Sequence, residues 1–148
     1  RNKTPRMYDE DSSKKLKIGK GSKLREGSDV AIIACGVMVS EAMRAAEELS
    51  KNGVEAAVVD MHTIKPLDTD LIDELVQECG GIVTAEDHSV IGGLGSAVSE
   101  HVSYRGGVPV RMVGVSDRFG ESGEPGELMD LMGITYGDIV DSCQSLLS

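Results

Sequence analysis

A chain of 148 residues with a formal net charge of −10 fits one domain, large enough to bury roughly 70% of the surface its unfolded form exposes. Residues 1–26 hold nine Lys/Arg against four Asp/Glu, and the remainder six against twenty-one. An acidic body excludes a nucleic-acid partner, because phosphate binding is driven by Lys and Arg. No apolar run approaches the ~18 residues of a membrane span. Cys35, Cys79 and Cys143 form no CxxC or other close pair. That sets zinc and disulfide readings aside and fits a reduced, cytoplasmic setting.

Arg1 rather than Met stands first, so a fragment or a processed chain is expected. Residues 1–13 are polar, without periodicity, and read as a linker from an upstream domain; residues 14–148 read as the domain itself. The basic start can contact an acidic surface, but a solvated edge segment is the better reading, because exposed charges add little stability. Leu16-Lys17-Ile18 and Lys23-Leu24-Arg25 flank Gly19-Lys20-Gly21-Ser22, which reads as a short edge strand or a hairpin. Lysines there discourage edge-to-edge pairing. The Gly-Lys pair lacks the spacing of a phosphate-binding loop.

Val30 to Cys35 is a continuous apolar run, suited to a strand buried on both faces. Val39, Ala42, Met43, Ala46 and Leu49 then recur at helical spacing, and Gly53 can close that helix. Glu55 to Asp60 reads as a second strand. Asp68 is an N-cap for a helix whose apolar face is Leu71, Ile72, Leu75, Val76 and Cys79. The third strand is Ile82 to Ala85, followed by a charged turn and a helix through Leu94, Ala97, Val98, His101 and Val102. Val110 to Val115 is a further strand. Glu127 to Met132 and a last helix capped by Thr135 complete the chain. Strands alternating with helices predict right-handed crossovers and a mainly parallel sheet covered on both faces.

Two features invite a chemical reading. Gly93-Leu94-Gly95-Ser96-Ala97-Val98 opens like a dinucleotide fingerprint, but Val98 replaces the third glycine and the turn from Glu86 to Gly92 is long. The simpler reading is that Gly92, Gly93 and Gly95 let a helix start pack close to a neighbouring backbone. Asp87-His88-Ser89 has the residue types of a hydrolase triad, yet three consecutive residues in a turn cannot easily meet its geometry. His62, His88 and His101 lack metal-ligand spacing, and His101 reads as a hydrogen-bonded, partly buried histidine. Glu86 and Asp87, at a strand's carboxyl end, can take a proton from a ligand, pair with a cation across an interface, or meet Arg118 in the loop after the fourth strand.

Val83-Thr84-Ala85-Glu86-Asp87-His88-Ser89-Val90-Ile91-Gly92-Gly93-Leu94-Gly95-Ser96-Ala97 resembles the third domain of transketolases. So do Ile64-Lys65-Pro66-Leu67-Asp68 and Asp117-Arg118-Phe119-Gly120-Glu121-Ser122-Gly123, in the family's order. One departure is Ser116, where the family usually has Pro. The resemblance implies a three-layer α/β/α domain with about five strands, mostly parallel, and one antiparallel edge strand. It also implies thiamine diphosphate and Mg (or Ca) in the complete enzyme, held between a pyrophosphate-binding and a pyrimidine-binding domain across a dimer interface, and a place in the pentose phosphate pathway. The metal motif Gly-Asp-Gly with a following Asn is absent from this sequence, so neither a catalytic residue nor a cofactor or metal ligand is assigned in it. The partners implied are the other two domains or their subunit, in a homo-oligomer. Glu86, Asp87, His88, Gly92, Gly93, Gly95, Asp117, Arg118 and Glu121 are expected in interface or structural loops. Two alternatives stay within the superfamily: the C-terminal domain of a 2-oxo acid dehydrogenase β subunit, or of deoxyxylulose-phosphate synthase. A third, of another class, is a stand-alone α/β module binding a small anion at the glycine turn.

Overall fold

A computed structural model describes residues 6–9, 16–116 and 124–148. Its elements are β1 (Ser22–Arg25), β2 (Val30–Ala34), α1 (Met38–Lys51), β3 (Ala56–Asp60), α2 (Thr69–Glu78), β4 (Ile82–Ser89), α3 (Leu94–Arg105), β5 (Val110–Val115), α4 (Pro125–Met132) and α5 (Tyr136–Leu147). The strands lie in the order β1-β3-β2-β4-β5. β2, β3, β4 and β5 are mutually parallel, and β1 runs antiparallel along β3. The expected five-stranded, mostly parallel sheet with one antiparallel edge is therefore the observed one.

Alternation within β2 builds two cores from one strand. Val30, Ile32 and Ala34 face α1 and α5, where they meet Met38, Leu49, Ile139 and Cys143. Ala31 and Ile33 face α2 and α3, where they meet Ile72, Leu75, Leu94 and Val98. All five residues of β2 are fully buried. That is why an apolar run without polar alternation stands at the centre of the sheet. Ile32 pairs with Val58 on one side and Val83 on the other, which locks the three central strands in register.

The helix ends follow from local chemistry. The Asp68 carboxylate accepts the Leu71 backbone N–H at 3.4 Å and so caps α2. It also accepts the Gly21 N–H and the Lys20 ammonium, each at 3.0 Å, tying the approach to β1 onto α2. Thr135 and Asp138 form a reciprocal capping box at the start of α5. Gly133 closes α4 in the left-handed conformation, with φ +67°.

Two local expectations are revised. Leu16–Ile18 pairs with no strand. Lys20 N–H closes a turn onto Lys17 O instead, so the hairpin is not formed, and β1 is the short edge strand, paired with β3. Ile18 is 86% exposed, so this stretch has no apolar face to bury and nothing to hold it as a strand. The third strand does not stop at Ala85 but runs on to Ser89. Ser89 pairs with Val115 after a register shift, so the charged segment is strand rather than turn. The edge at β1 is held by ion pairs of Lys23 with Glu74 and Glu78 and of Arg25 with Glu55. No described helix is long and apolar enough to cross a membrane.

Candidate functional site

The carboxyl ends of the parallel strands are where open α/β sheets place their ligands, and here that end is dominated by Glu86. The residue sits in β4 with 1% of its surface exposed. Its Oε2 accepts the Leu94 backbone N–H and its Oε1 accepts the Gly95 backbone N–H, both at 2.8 Å. These donors belong to the first turn of α3, whose N-cap, Gly93, has no side chain to satisfy them. A helix start leaves its first N–H groups without intrahelical partners and carries partial positive charge. Glu86 supplies both the acceptors and the negative charge from another element of the fold.

The glycines make that approach sterically possible. A Cβ on Gly93 would overlap the Glu86 carboxylate. One on Gly95 would come within 2.6 Å of Met112 Cγ and 2.8 Å of Thr84 Oγ1. Gly114, on β5, leaves room for Val90, which a Cβ would meet at 2.8 Å. Gly92 has φ +77° and turns the chain into the helix. Ser96 stitches this loop down: its hydroxyl accepts the Gly92 N–H at 2.9 Å and donates to Val90 O at 2.8 Å. Sequence reasoning passed over Ser96, which was visible only as a polar residue in a helix start.

Asp87 and His88 are exposed. The His88 Nδ1 lies 3.0 Å from the Ser89 main-chain oxygen, while the Ser89 hydroxyl accepts the Ile91 N–H. The imidazole therefore meets its neighbour's backbone and not the hydroxyl, and the triad reading fails on geometry. His101 is half-buried and bonds Asp73 on α2 at 2.7 Å, with Arg105 on the other oxygen of Asp73 at 3.2 Å. His62 is exposed beside Thr63. Asp117, Arg118 and Glu121 lie outside the described residues, and so does the contact of Glu86 or Asp87 with Arg118.

Two further groups belong to this end of the sheet. Asp60 closes β3 and accepts the Tyr8 hydroxyl at 2.7 Å. Burial, then the hydrogen bond and charge of Asp60, push the Tyr8 phenol up to about 12. Burial likewise pushes the Cys35 thiol up to about 11, with the charges of Glu86, Asp60 and Asp87 adding to it. A thiol held protonated in this way is a poor nucleophile. Neither Tyr8 nor Asp60 carries a motif, so no signal in the sequence joins them.

Among the described residues no three His, Cys, Asp or Glu side chains are gathered to hold a metal ion. The helix start at Gly93 is the natural cradle for a diphosphate at this end of the sheet, and the Glu86 carboxylate already fills it. A metal diphosphate brought there would meet a buried negative charge. The described residues at this helix start do not fit thiamine diphosphate and its cation.

Comparison with known proteins gives the family. Residues 19–139 match the family described as transketolase, C-terminal domain. The chain belongs to this family. It is 49% identical over 123 residues to a protein named 6-deoxy-6-sulfo-D-fructose transketolase subunit SqwH from Clostridium sp. (strain MSTE9), covering 83% of this chain and 38% of that protein. It is 42% identical over 135 residues to a putative transketolase C-terminal section from Methanocaldococcus jannaschii, covering 90% and 42% of the two. Among solved structures, a split gene transketolase described as an inactive beta4 tetramer superposes with a TM-score of 0.93 at 44% identity, covering 97% of this chain and 46% of that one. The transketolase C-terminal domain thus spans less than half the length of these relatives.

Proposed function

We propose that this transketolase C-terminal domain is the C-terminal section of a thiamine diphosphate-dependent transketolase, which moves a two-carbon ketol group between sugar phosphates. In this reading the domain completes the assembly and buttresses the sections that hold the cofactor. Thiamine diphosphate and its Mg (or Ca) ion supply the carbanion chemistry from those other sections. The loop between β4 and α3 and the segment 117–123 contribute to the contact surface, and the complete enzyme is a homo-oligomer working in the cytoplasm.

One observation carries this reading: both oxygens of the Glu86 carboxylate are committed to the start of α3. In this reading the place where such a sheet would bind an anionic cofactor serves structure, and the family fingerprint at 83–97 is a structural element. The same occupancy argues against a stand-alone module that binds a small anion at the glycine turn. A second reading within the superfamily draws support from a 1-deoxy-D-xylulose-5-phosphate synthase of Trichormus variabilis, 45% identical over 127 residues, of which the matched part is 20%.

Calorimetric titration of the isolated chain with thiamine diphosphate and magnesium tests the division of labour, with no heat of binding expected; tight binding would overturn it. Mixing the chain with the companion sections should give ketol transfer between sugar phosphates. Formation of deoxyxylulose phosphate from pyruvate and a triose phosphate would instead select the second reading.

A further inference from the structure

Residues 17–20 form a turn that the domain anchors firmly. The Lys20 N–H closes it on Lys17 O at 3.1 Å. The Lys20 ammonium reaches Asp68 at 3.0 Å and Asp70 at 3.2 Å, and Gly21 gives its N–H to Asp68 at 3.0 Å. Gly19, with φ +79°, lies so close to the next loop that a Cβ there would meet Pro66 Cγ at 2.8 Å. This anchored turn holds Ile18 out into water, 86% exposed. Ile64, two residues before the exposed Pro66, is 40% exposed, and Leu16 37%. A single exposed apolar side chain needs no explanation. Here the contact of Gly19 with Pro66 joins several into one area. Holding such side chains rigid in advance lowers the cost of binding a partner.

Charge marks the same area. Lys20, Lys23, Arg25, Arg44 and Lys51 each meet a carboxylate. Lys17 and Lys65 are exposed and have no ion-pair partner among the described residues, and they adjoin Ile18 and Ile64 in the chain. After residue 26 the chain holds twenty-one Asp/Glu against six Lys/Arg, so carboxylates are plentiful elsewhere on the domain. An apolar centre with a polar rim is how protein contacts are built, and this rim calls for a partner that brings carboxylates. A second copy meeting the area with its own would set lysine against lysine, which opposes that pairing.

The path of the chain identifies the partner. The domain spans less than half the length of its relatives. Residues 6–9 come in at the end of β3, where the Tyr8 hydroxyl donates to Asp60 at 2.7 Å. The loop that carries Ile64, Lys65 and Pro66 leaves β3 at that same residue, Asp60. What precedes residue 6 therefore arrives beside the exposed area. We propose that Ile18 and Ile64, rimmed by Lys17 and Lys65, form the docking surface for the preceding section of the complete polypeptide, which meets them with an apolar centre ringed by Asp or Glu. This rests on the chain being the C-terminal section of a longer enzyme.

The test places the photo-reactive residue p-benzoyl-phenylalanine at position 18 of the complete enzyme. Irradiation should link it to the preceding section, in a peptide that carries Asp or Glu. Lys17→Glu combined with Lys65→Glu should lower that yield about tenfold, because like charges then face each other. The same probe at Tyr104, 89% exposed on α3, should give no such link. Links from position 18 confined to residues 1–148 of its own or of a second, isotope-labelled copy would overturn the docking surface. So would an equal yield from Tyr104, or a yield that charge reversal leaves unchanged. If the charge-reversed variant does not fold, loss of the link in high salt, which screens exposed charge pairs, decides in its place. Ketol transfer is measured on the unmodified enzyme. An inactive enzyme that still links to the preceding section would sink the transketolase reading and keep the docking surface. An active one without the link would do the reverse.

Discussion

Glu86 and Gly95 meet through a 2.8 Å hydrogen bond from the glycine N–H to the carboxylate, nine residues apart in sequence and on different elements. With the matching bond from Leu94 it turns a buried acid into the cap of α3. Hydrogen bonds to a charged acceptor contribute about 1.5–3 kcal/mol each, and a buried donor left unpaired costs about 1–3 kcal/mol. Glu86→Gln keeps the shape but sets an amide N–H against a backbone N–H, and should destabilise the fold by about 2 kcal/mol. Glu86→Ala, which orphans both donors, should cost more. Urea unfolding of the two variants checks the order; equal stability to the parent protein would refute the capping role.

Gly95 and Gly126 give a pair of glycine-to-alanine changes with opposite sign. Both lie in helices, where Ala is favoured over Gly by about 1 kcal/mol. Nothing stands within 4 Å of a Cβ on Gly126, so Gly126→Ala should stabilise by up to that amount. A Cβ on Gly95 meets Met112 Cγ at 2.6 Å and Thr84 Oγ1 at 2.8 Å. Overpacking of this kind costs about 1–3 kcal/mol and should outweigh the helix gain. Melting curves of the two variants, shifted in opposite directions, are the expected result.

The Asp68 carboxylate gives a stability signal in acid. Burial pulls its pKa up, but Lys20 and the backbone N–H groups of Gly21 and Leu71 outweigh that and hold it below the ordinary 3.8. A group whose folded pKa is depressed binds its proton more readily when unfolded. Its contribution is therefore complete above the ordinary value and lost as pH falls through the lower, folded one. Unfolding measured from pH 6 down to pH 2 should show this loss, and Asp68→Asn should reduce it. Asp68→Ala should in addition remove a helix cap worth about 1 kcal/mol at neutral pH.

Cys35 should resist alkylation. Its thiol is raised from 9.0 to about 11, which lowers the thiolate fraction at neutral pH about 100-fold. Iodoacetamide labelling of Cys35 is expected to lag a free thiol by at least that factor and to accelerate as pH approaches 11. Rapid modification at pH 7 would show that the thiol is not held protonated by burial and the nearby carboxylates.

Much of this protein is determined by sequence alone. The run from Val30 to Cys35 demanded a strand buried on both faces, and its first five residues form the fully buried β2. Asp68 and Thr135 announced two helix starts, and both cap as local chemistry requires. These features are legible because they depend on neighbours a few residues away or on the period of the element itself. The fingerprint at 83–97 pointed to the family for a related reason, since its glycines and acid must keep their spacing to fit one another. What tertiary structure decided is what those residues do. That Glu86 spends both oxygens on α3 depends on β4 running beneath the helix start, and no count along the chain gives that distance. Tyr8 and Asp60 are fifty-two residues apart and share no motif. Only the fold lays residues 6–9 against the end of β3, because a hydrogen bond reads separation in space and the sequence records only separation along the chain.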